Sequence, residues 1–254
     1  MLEILRGVRC GACYRHQIHL GGITMKVTWL TQAGLLFDTG KYKIMVDPYL
    51  SNSVAEQLDP EKYRRMAVDD SIFDVDIDML LITHDHLDHL DPETLEKFLK
   101  NTDKSVTVLA GERAYFKVRE FKGKHNYVLL SPHSVWSEGG VTVYSVHAEH
   151  SDRTAVGFII DDGKDTFYVS GDTLYNYDVI DDVLDLVEDG VSYAFLPING
   201  VGNNMNASDA ADFAYEIGAK CAVPLHYGLF DNIDPAAFDF EDTLTLEPWK
   251  EVKL

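Results

Sequence analysis

Apolar and polar positions follow two rhythms along this chain, and the order in which they alternate predicts its elements. From Met25, short runs rich in Val, Leu, Ile and Phe predict strands over 27–31, 34–39 and 42–47, separated by turns at Gln32-Ala33 and Gly40-Lys41. The stretch 49–78 is polar and irregular, carries Asp59-Pro60 and several acids, and suits a surface segment or part of a mouth. Met79-Leu80-Leu81-Ile82 is short and wholly apolar, as a buried strand is. Asp91 as N-cap and Pro92 at the first helical position then open a helix over 92–101, whose Leu95, Phe98 and Leu99 share one face. A strand over 106–110, a helix over 112–121 and a strand over 127–130 follow, and strand signals then dominate at 141–147, 155–160 and 166–170. The last third alternates helix 179–187, strand 193–197, helix 208–217, strand 221–225 and a short helix near 235–240. No repeat, low-complexity tract or linker interrupts this order, so 25–254 reads as a single domain. Two sheets packed face to face, with helices outside each, accommodate it.

Composition narrows the class. The 254 residues are 46% hydrophobic and 25% charged, ordinary for a soluble globular protein, and no segment approaches the roughly 18 apolar residues of a membrane span. The first residues carry Arg6, Arg9 and Arg15 without an apolar core, a poor secretory signal, and three cysteines make no disulfide framework. The expected location is the cytoplasm. A net charge of −20 repels nucleic acid and anionic membrane, since binding to either depends on clustered Lys and Arg. It leaves open a small substrate, even a phosphorylated one, because bound divalent ions dominate the field inside a cleft. A homo-oligomer is also left open.

Residues 1–24 stand apart as an N-terminal extension. Cys10, Cys13, His16 and His19 are four potential zinc ligands, but only two residues separate Cys13 from His16, too few for a zinc finger. The alternative is that this segment precedes the natural start, with Met25 opening directly into the first strand.

The chemistry concentrates in Thr83-His84-Asp85-His86-Leu87-Asp88-His89, on the loop between a strand and a helix. Imidazole and carboxylate together are ligands for zinc or manganese. A tight turn can direct His84 and His86 at one ion and leave Asp88 and His89 for a second. Two such ions roughly 3.5–4 Å apart can share one water, lower its pKa and polarise the bond it attacks. Further ligands are needed, and polar residues at strand ends are the candidates. Asp172 follows strand 166–170 and could bridge both ions; His226 ends strand 221–225. His147 and His150 both lie at the end of strand 141–147, and residues three apart in a strand face opposite sides. His150, followed by loop residues, is the expected ligand, with His147 a supporting or packed neighbour. Asp47, at the end of strand 42–47, is expected to accept the other N–H of a ligating histidine. Asn199, Asn203 and Tyr227 are candidate substrate contacts.

With these residues assembled, the chain resembles the metallo-β-lactamase-fold hydrolases. The matching stretches are the 83–89 cluster, Ala148-Glu149-His150-Ser151, Ser170-Gly171-Asp172 and Pro224-Leu225-His226-Tyr227-Gly228. Within that superfamily it looks most like the L-ascorbate-6-phosphate lactonase (UlaG-like) group, through Leu196-Pro197-Ile198-Asn199-Gly200, Asn203-Asn204-Met205 and the run from His226 through Phe230 to Asp234-Pro235. The resemblance implies an αββα sandwich with the metals at one edge of the sheets, and a manganese- or zinc-dependent hydrolase. It further implies that His84, His86 and His150 bind one ion, that Asp88, His89 and His226 bind the other, and that Asp172 bridges. Asp88 would also orient the attacking water and take up a proton. The implied activity is hydrolysis of a small lactone or ester, with a sugar-phosphate lactone as one form and a small phosphodiester as the alternative. A di-iron redox protein is a third reading, but such proteins usually carry glutamate where His86 stands. The chain is considerably shorter than the lactonase, which bears on the substrate more than on the chemistry.

Overall fold

The computed structural model describes residues 24–254 apart from Asn101 and Glu188, so the readings of the Cys10, Cys13, His16 and His19 segment lie outside the described residues. Three strands in an antiparallel meander, β1 (Lys26–Trp29), β2 (Leu35–Asp38) and β3 (Lys43–Val46), begin the first sheet. A short helix, α1 (Ser53–Gln57), and a 3-10 helix (Asp70–Asp74) fold the polar stretch that follows. Three parallel strands then extend the sheet: β4 (Met79–Ile82), β5 (Thr107–Ala110) and β6 (Asn126–Leu129). Between them run α2 (Pro92–Lys100) and α3 (Glu112–Val118). The second sheet is built from β7 (Val135–Glu138), β8 (Val141–His147), β9 (Val156–Asp161), β10 (Thr166–Val169), β11 (Tyr193–Pro197) and β12 (Cys221–Leu225), with α4 (Tyr177–Leu186) and α5 (Ala207–Glu216) as its crossovers. Finally β13 (Glu251–Lys253) returns to pair antiparallel with β1. Spatial orders are β13-β1-β2-β3-β4-β5-β6 and β12-β11-β10-β9-β8-β7.

The period of two explains the layers. Ile44, Val46, Met79, Leu81 and Leu109 point into the core between the sheets, where Phe37 meets Phe167 and Phe195 at ring centroids of 5.9 and 5.3 Å. Their neighbours Met45, Leu80, Ile82, Val108 and Ala110 point the other way, onto Leu95, Phe98 and Leu99 of α2 and Ala114 and Val118 of α3. Strands buried on both faces read as continuous apolar runs, which is why β4 carries no polar residue. On the second sheet α4 packs over β8, and α5 over β11 and β12. The architecture is therefore an αββα sandwich, as expected from the order of elements.

This topology positions the chemistry. In the first sheet the C-terminal ends of the parallel β3 and β4 lie at one edge, and in the second those of β8, β10, β11 and β12 lie at one edge. Hydrogen bonds join the two edges directly: Val156 donates to the Thr83 carbonyl at 3.0 Å, and His226 donates to the Gln32 carbonyl at 3.0 Å.

Candidate metal centre

Each candidate ligand follows directly on a strand end or lies a few residues beyond it. Thr83 and His84 leave β4, and the loop brings His86, Asp88 and His89 round before α2 begins. Three residues beyond β8 comes His150; three beyond β10, after Ser170 and Gly171, comes Asp172; His226 directly follows β12. They assemble as two groups. His84, His86, His150 and Asp172 form one and Asp88, His89 and His226 the other, with ligand atoms inside each group within 4.8 Å of one another. Asp172 divides its carboxylate between them: Oδ1 lies 3.1 Å from His89 Nε2 and 3.3 Å from His226 Nε2, whereas Oδ2 faces His150 Nε2 at 3.9 Å. These contacts are close but not aligned as hydrogen bonds, so Asp172 Oδ1 is buried without a hydrogen-bond partner, and so is His84 Nε2. Buried polar atoms left unpaired cost about 1–3 kcal/mol each. Buried atoms left unpaired where ligands converge are arranged for a common cationic guest, and the His and carboxylate donors fit divalent ions.

The ring orientations have identifiable causes. Asp47 Oδ2 accepts from His89 Nδ1 at 2.8 Å and from the Thr83 hydroxyl at 2.5 Å, while Asp47 Oδ1 takes the Thr83 backbone N–H at 2.8 Å. That hydroxyl lies 3.0 Å from His84 Nδ1 and accepts its proton, having given its own to Asp47. One carboxylate thus fixes two rings and leaves both Nε2 atoms facing the cluster. His150 Nδ1 donates to the Asn203 carbonyl at 3.2 Å, and His86 Nε2 lies 3.3 Å from the Ser151 hydroxyl. The backbone is strained to deliver these groups: Asp47, Asn203 and His226 all have positive φ, at 41°, 66° and 60°. Gly171, at φ 60°, brings Asp172 past Thr83 so closely that a Cβ there would lie 2.7 Å from the threonine's own. Only glycine fits.

Residues 42–227 match the beta-lactamase superfamily domain. The chain belongs to that family. It is a metal-dependent hydrolase of the metallo-β-lactamase fold. A metal-dependent hydrolase of Thermoplasma acidophilum is 28% identical over 225 residues, covering 84% of this chain and 89% of the relative. Among solved structures, a metallo hydrolase from the archaeon Ignicoccus hospitalis superposes with a TM-score of 0.73 at 18% identity, covering 91% of this chain and 98% of that one. The di-iron β-hydroxylase CmlA of Streptomyces venezuelae shares the fold with a TM-score of 0.68 at 16% identity, over 91% of this chain and 54% of its own.

Other residues of this beta-lactamase superfamily domain depart from expectation. His147 does not support the cluster: its ring lies 3.7 Å from the Glu149 carboxylate and its backbone N–H donates to Asp182 of α4. His147 still belongs to β8, whereas His150, past the strand end, is free to turn towards the cluster. Tyr227 faces away from the cleft. The left-handed turn at His226 sends it into the core against Trp29, with ring centroids 5.0 Å apart, and burial pushes its phenol up to about 12. Asn199 and Asn203 do line the cleft beside the cluster, a space of about 410 Å³ shared with Lys62, Ser151 and Asn204. Sequence reading missed Gln32, whose Nε2 donates to Asp88 Oδ2 at 2.9 Å, and the part played by Thr83.

Charge is distributed unevenly between the two groups. Burial and the neighbouring His89 push His84 well below the ordinary histidine range, and burial also lowers His150. Burial opposes charge on His89 and His226 too, but there Asp172 and Asp88 outweigh it and raise both. In turn, although burial opposes it, the positive rings hold Asp172 and Asp88 below the usual carboxylate range. The sign of the metal dependence follows. A cation entering the first group meets His84 and His150 as neutral rings, whereas one entering the His89–His226 group must displace protons. Between pH 8 and pH 6 the affinity of the first group should change less than that of the second. The second should weaken by about tenfold per pH unit for each proton displaced. Calorimetric titration of chelator-stripped protein at the two pH values checks this; equal weakening of both ions would contradict it.

Proposed function

We propose that this protein is a dinuclear hydrolase of a small lactone or ester, with His84, His86 and His150 holding one divalent ion, Asp88, His89 and His226 the second, and Asp172 bridging. The observation that carries the reading is the division of the two Asp172 oxygens between the two groups. Zinc and manganese both suit the donors. When bound, such a pair supplies an activated water and polarises the bond under attack.

The chain's own residues supply the rest. Asp47 and Thr83 fix the His89 and His84 rings, so no reorientation is needed on loading. Asp88 lies partly exposed on the cleft wall with Oδ2 tied to Gln32, and its position suits it to receive the proton released as water attacks. Lys62 brings a positive charge to a wall otherwise lined by Asn199, Asn203, Asn204 and Ser151, which suits a small hydroxylated substrate bearing an anionic group. With the UlaG-like resemblance, this favours a sugar-phosphate lactone. A panel of lactones and phosphorylated lactones assayed beside bis-p-nitrophenyl phosphate tests the reaction class. Lactones should be turned over with the higher kcat/KM; turnover of the phosphodiester alone would replace this reading with a phosphodiesterase.

A further inference from the structure

The turn between β1 and β2 is strained without any obvious need of its own. Thr31 and Gln32 are both left-handed, at φ 72° and 49°, and both are fully buried. Glycine or asparagine is the usual choice in such places, and a β-branched or long side chain there is strained. The turn itself is closed by ordinary hydrogen bonds, Gly34 N–H to the Thr31 carbonyl at 2.9 Å and Leu30 N–H to the Gly34 carbonyl at 2.8 Å. It is held from behind by Arg64, which donates from Nη2 to the Thr31 hydroxyl at 2.9 Å and from Nη1 to the Tyr49 carbonyl at 2.6 Å.

What the turn presents explains the residue choice. The Gln32 carbonyl accepts the backbone N–H of His226 at 3.0 Å and the Trp29 indole N–H at 2.9 Å. Its side chain reaches the other way: Nε2 donates to Asp88 Oδ2 at 2.9 Å and lies 3.2 Å from both ring nitrogens of His226. Asp88 belongs to a loop of the first sheet and His226 to a strand end of the second. One residue therefore ties together two members of the second group across the junction of the sheets.

We infer that Gln32 is a positioning residue, holding Asp88 and His226 at the separation the second ion requires and orienting Asp88 through its Oδ2. This rests on the dinuclear reading. Asp172 spans both groups, but His84 is held by Asp47 through the Thr83 hydroxyl and His150 by the Asn203 carbonyl, so the first group does not depend on Gln32.

Two substitutions separate this role from a purely structural one. Gln32→Met keeps the length and packing of the side chain but removes its donor. Gln32→Gly also removes the donor, yet relieves the left-handed backbone. Full-length, chelator-stripped protein is titrated calorimetrically with Mn²⁺ or Zn²⁺ alone, and its thermal unfolding is followed without metal. The wild type should bind two ions. In both variants the weaker ion should lose about 10–100-fold in affinity, the usual effect of removing a group that orients a ligand, while the tighter ion is unchanged. Gln32→Gly should unfold no lower than Gln32→Met, so that affinity and stability part company. Two ions bound by the variants as tightly as by the wild type would overturn the inference. So would loss of both ions together, or loss of the fold in both variants. A wild-type chain that binds only one ion would overturn the dinuclear reading, and this inference with it.

Discussion

Replacing His86 by alanine should reduce turnover to background while leaving the fold largely intact. The ring sits on the cleft wall, 3.1 Å from His150 Nε2 through its own Nδ1, and belongs to neither apolar core cluster. Its loss removes a donor to the first ion but no large apolar contact, so the cost to stability should stay within about 1–2 kcal/mol. A mixed-metal preparation with one ion per chain and an unfolding midpoint close to wild type is the expected result. Full activity in the alanine variant would exclude His86 from the site.

The second large effect concerns Asp88. Asparagine at this position keeps the size and one oxygen of the side chain but loses its charge and its basicity. With saturating metal, kcat should fall by about 10²–10⁴, the range for losing a positioned acid or base, and KM should move far less. Stability should change little, since the side chain is partly exposed and bonded chiefly to Gln32. If excess manganese or zinc restored wild-type kcat, Asp88 would serve only to hold the ion. The proton would then have to leave by another route, with His89 or bulk water next to examine.

Much of this was legible along the chain because the fold speaks through local periodicity. The runs over 141–147, 193–197 and 221–225 coincide with β8, β11 and β12. Each is buried enough for its apolar pattern to be unbroken or cleanly alternating. The elements that escaped are those whose cause is distant. β13 is three residues long, charged at both ends, and exists because β1 offers it a partner across most of the chain. β7 is an edge strand with polar and exposed positions, so its Val135-Trp136-Ser137-Glu138 carries little strand signal. The site divides in the same way. Histidine clusters and strand-end aspartates announce themselves by composition, and the loop position of His150 favoured it over His147. Gln32 and Thr83, by contrast, carry an ordinary carboxamide and an ordinary hydroxyl. Their importance arises only when Gln32 comes against His226, 194 positions away, and Thr83 against Asp47, 36 positions away. Tyr227 misled because the turn at His226 inverts the direction of the residue that follows it.

In the proposed function Asp172 stands between two ions. Anomalous diffraction from crystals of the metal-loaded protein, recorded on either side of the zinc or manganese edge, tests it most directly. Two peaks about 3.5–4 Å apart are expected, one against His84, His86 and His150, the other against Asp88, His89 and His226, with one Asp172 oxygen on each. A single peak, or two peaks with Asp172 touching only one of them, would contradict it.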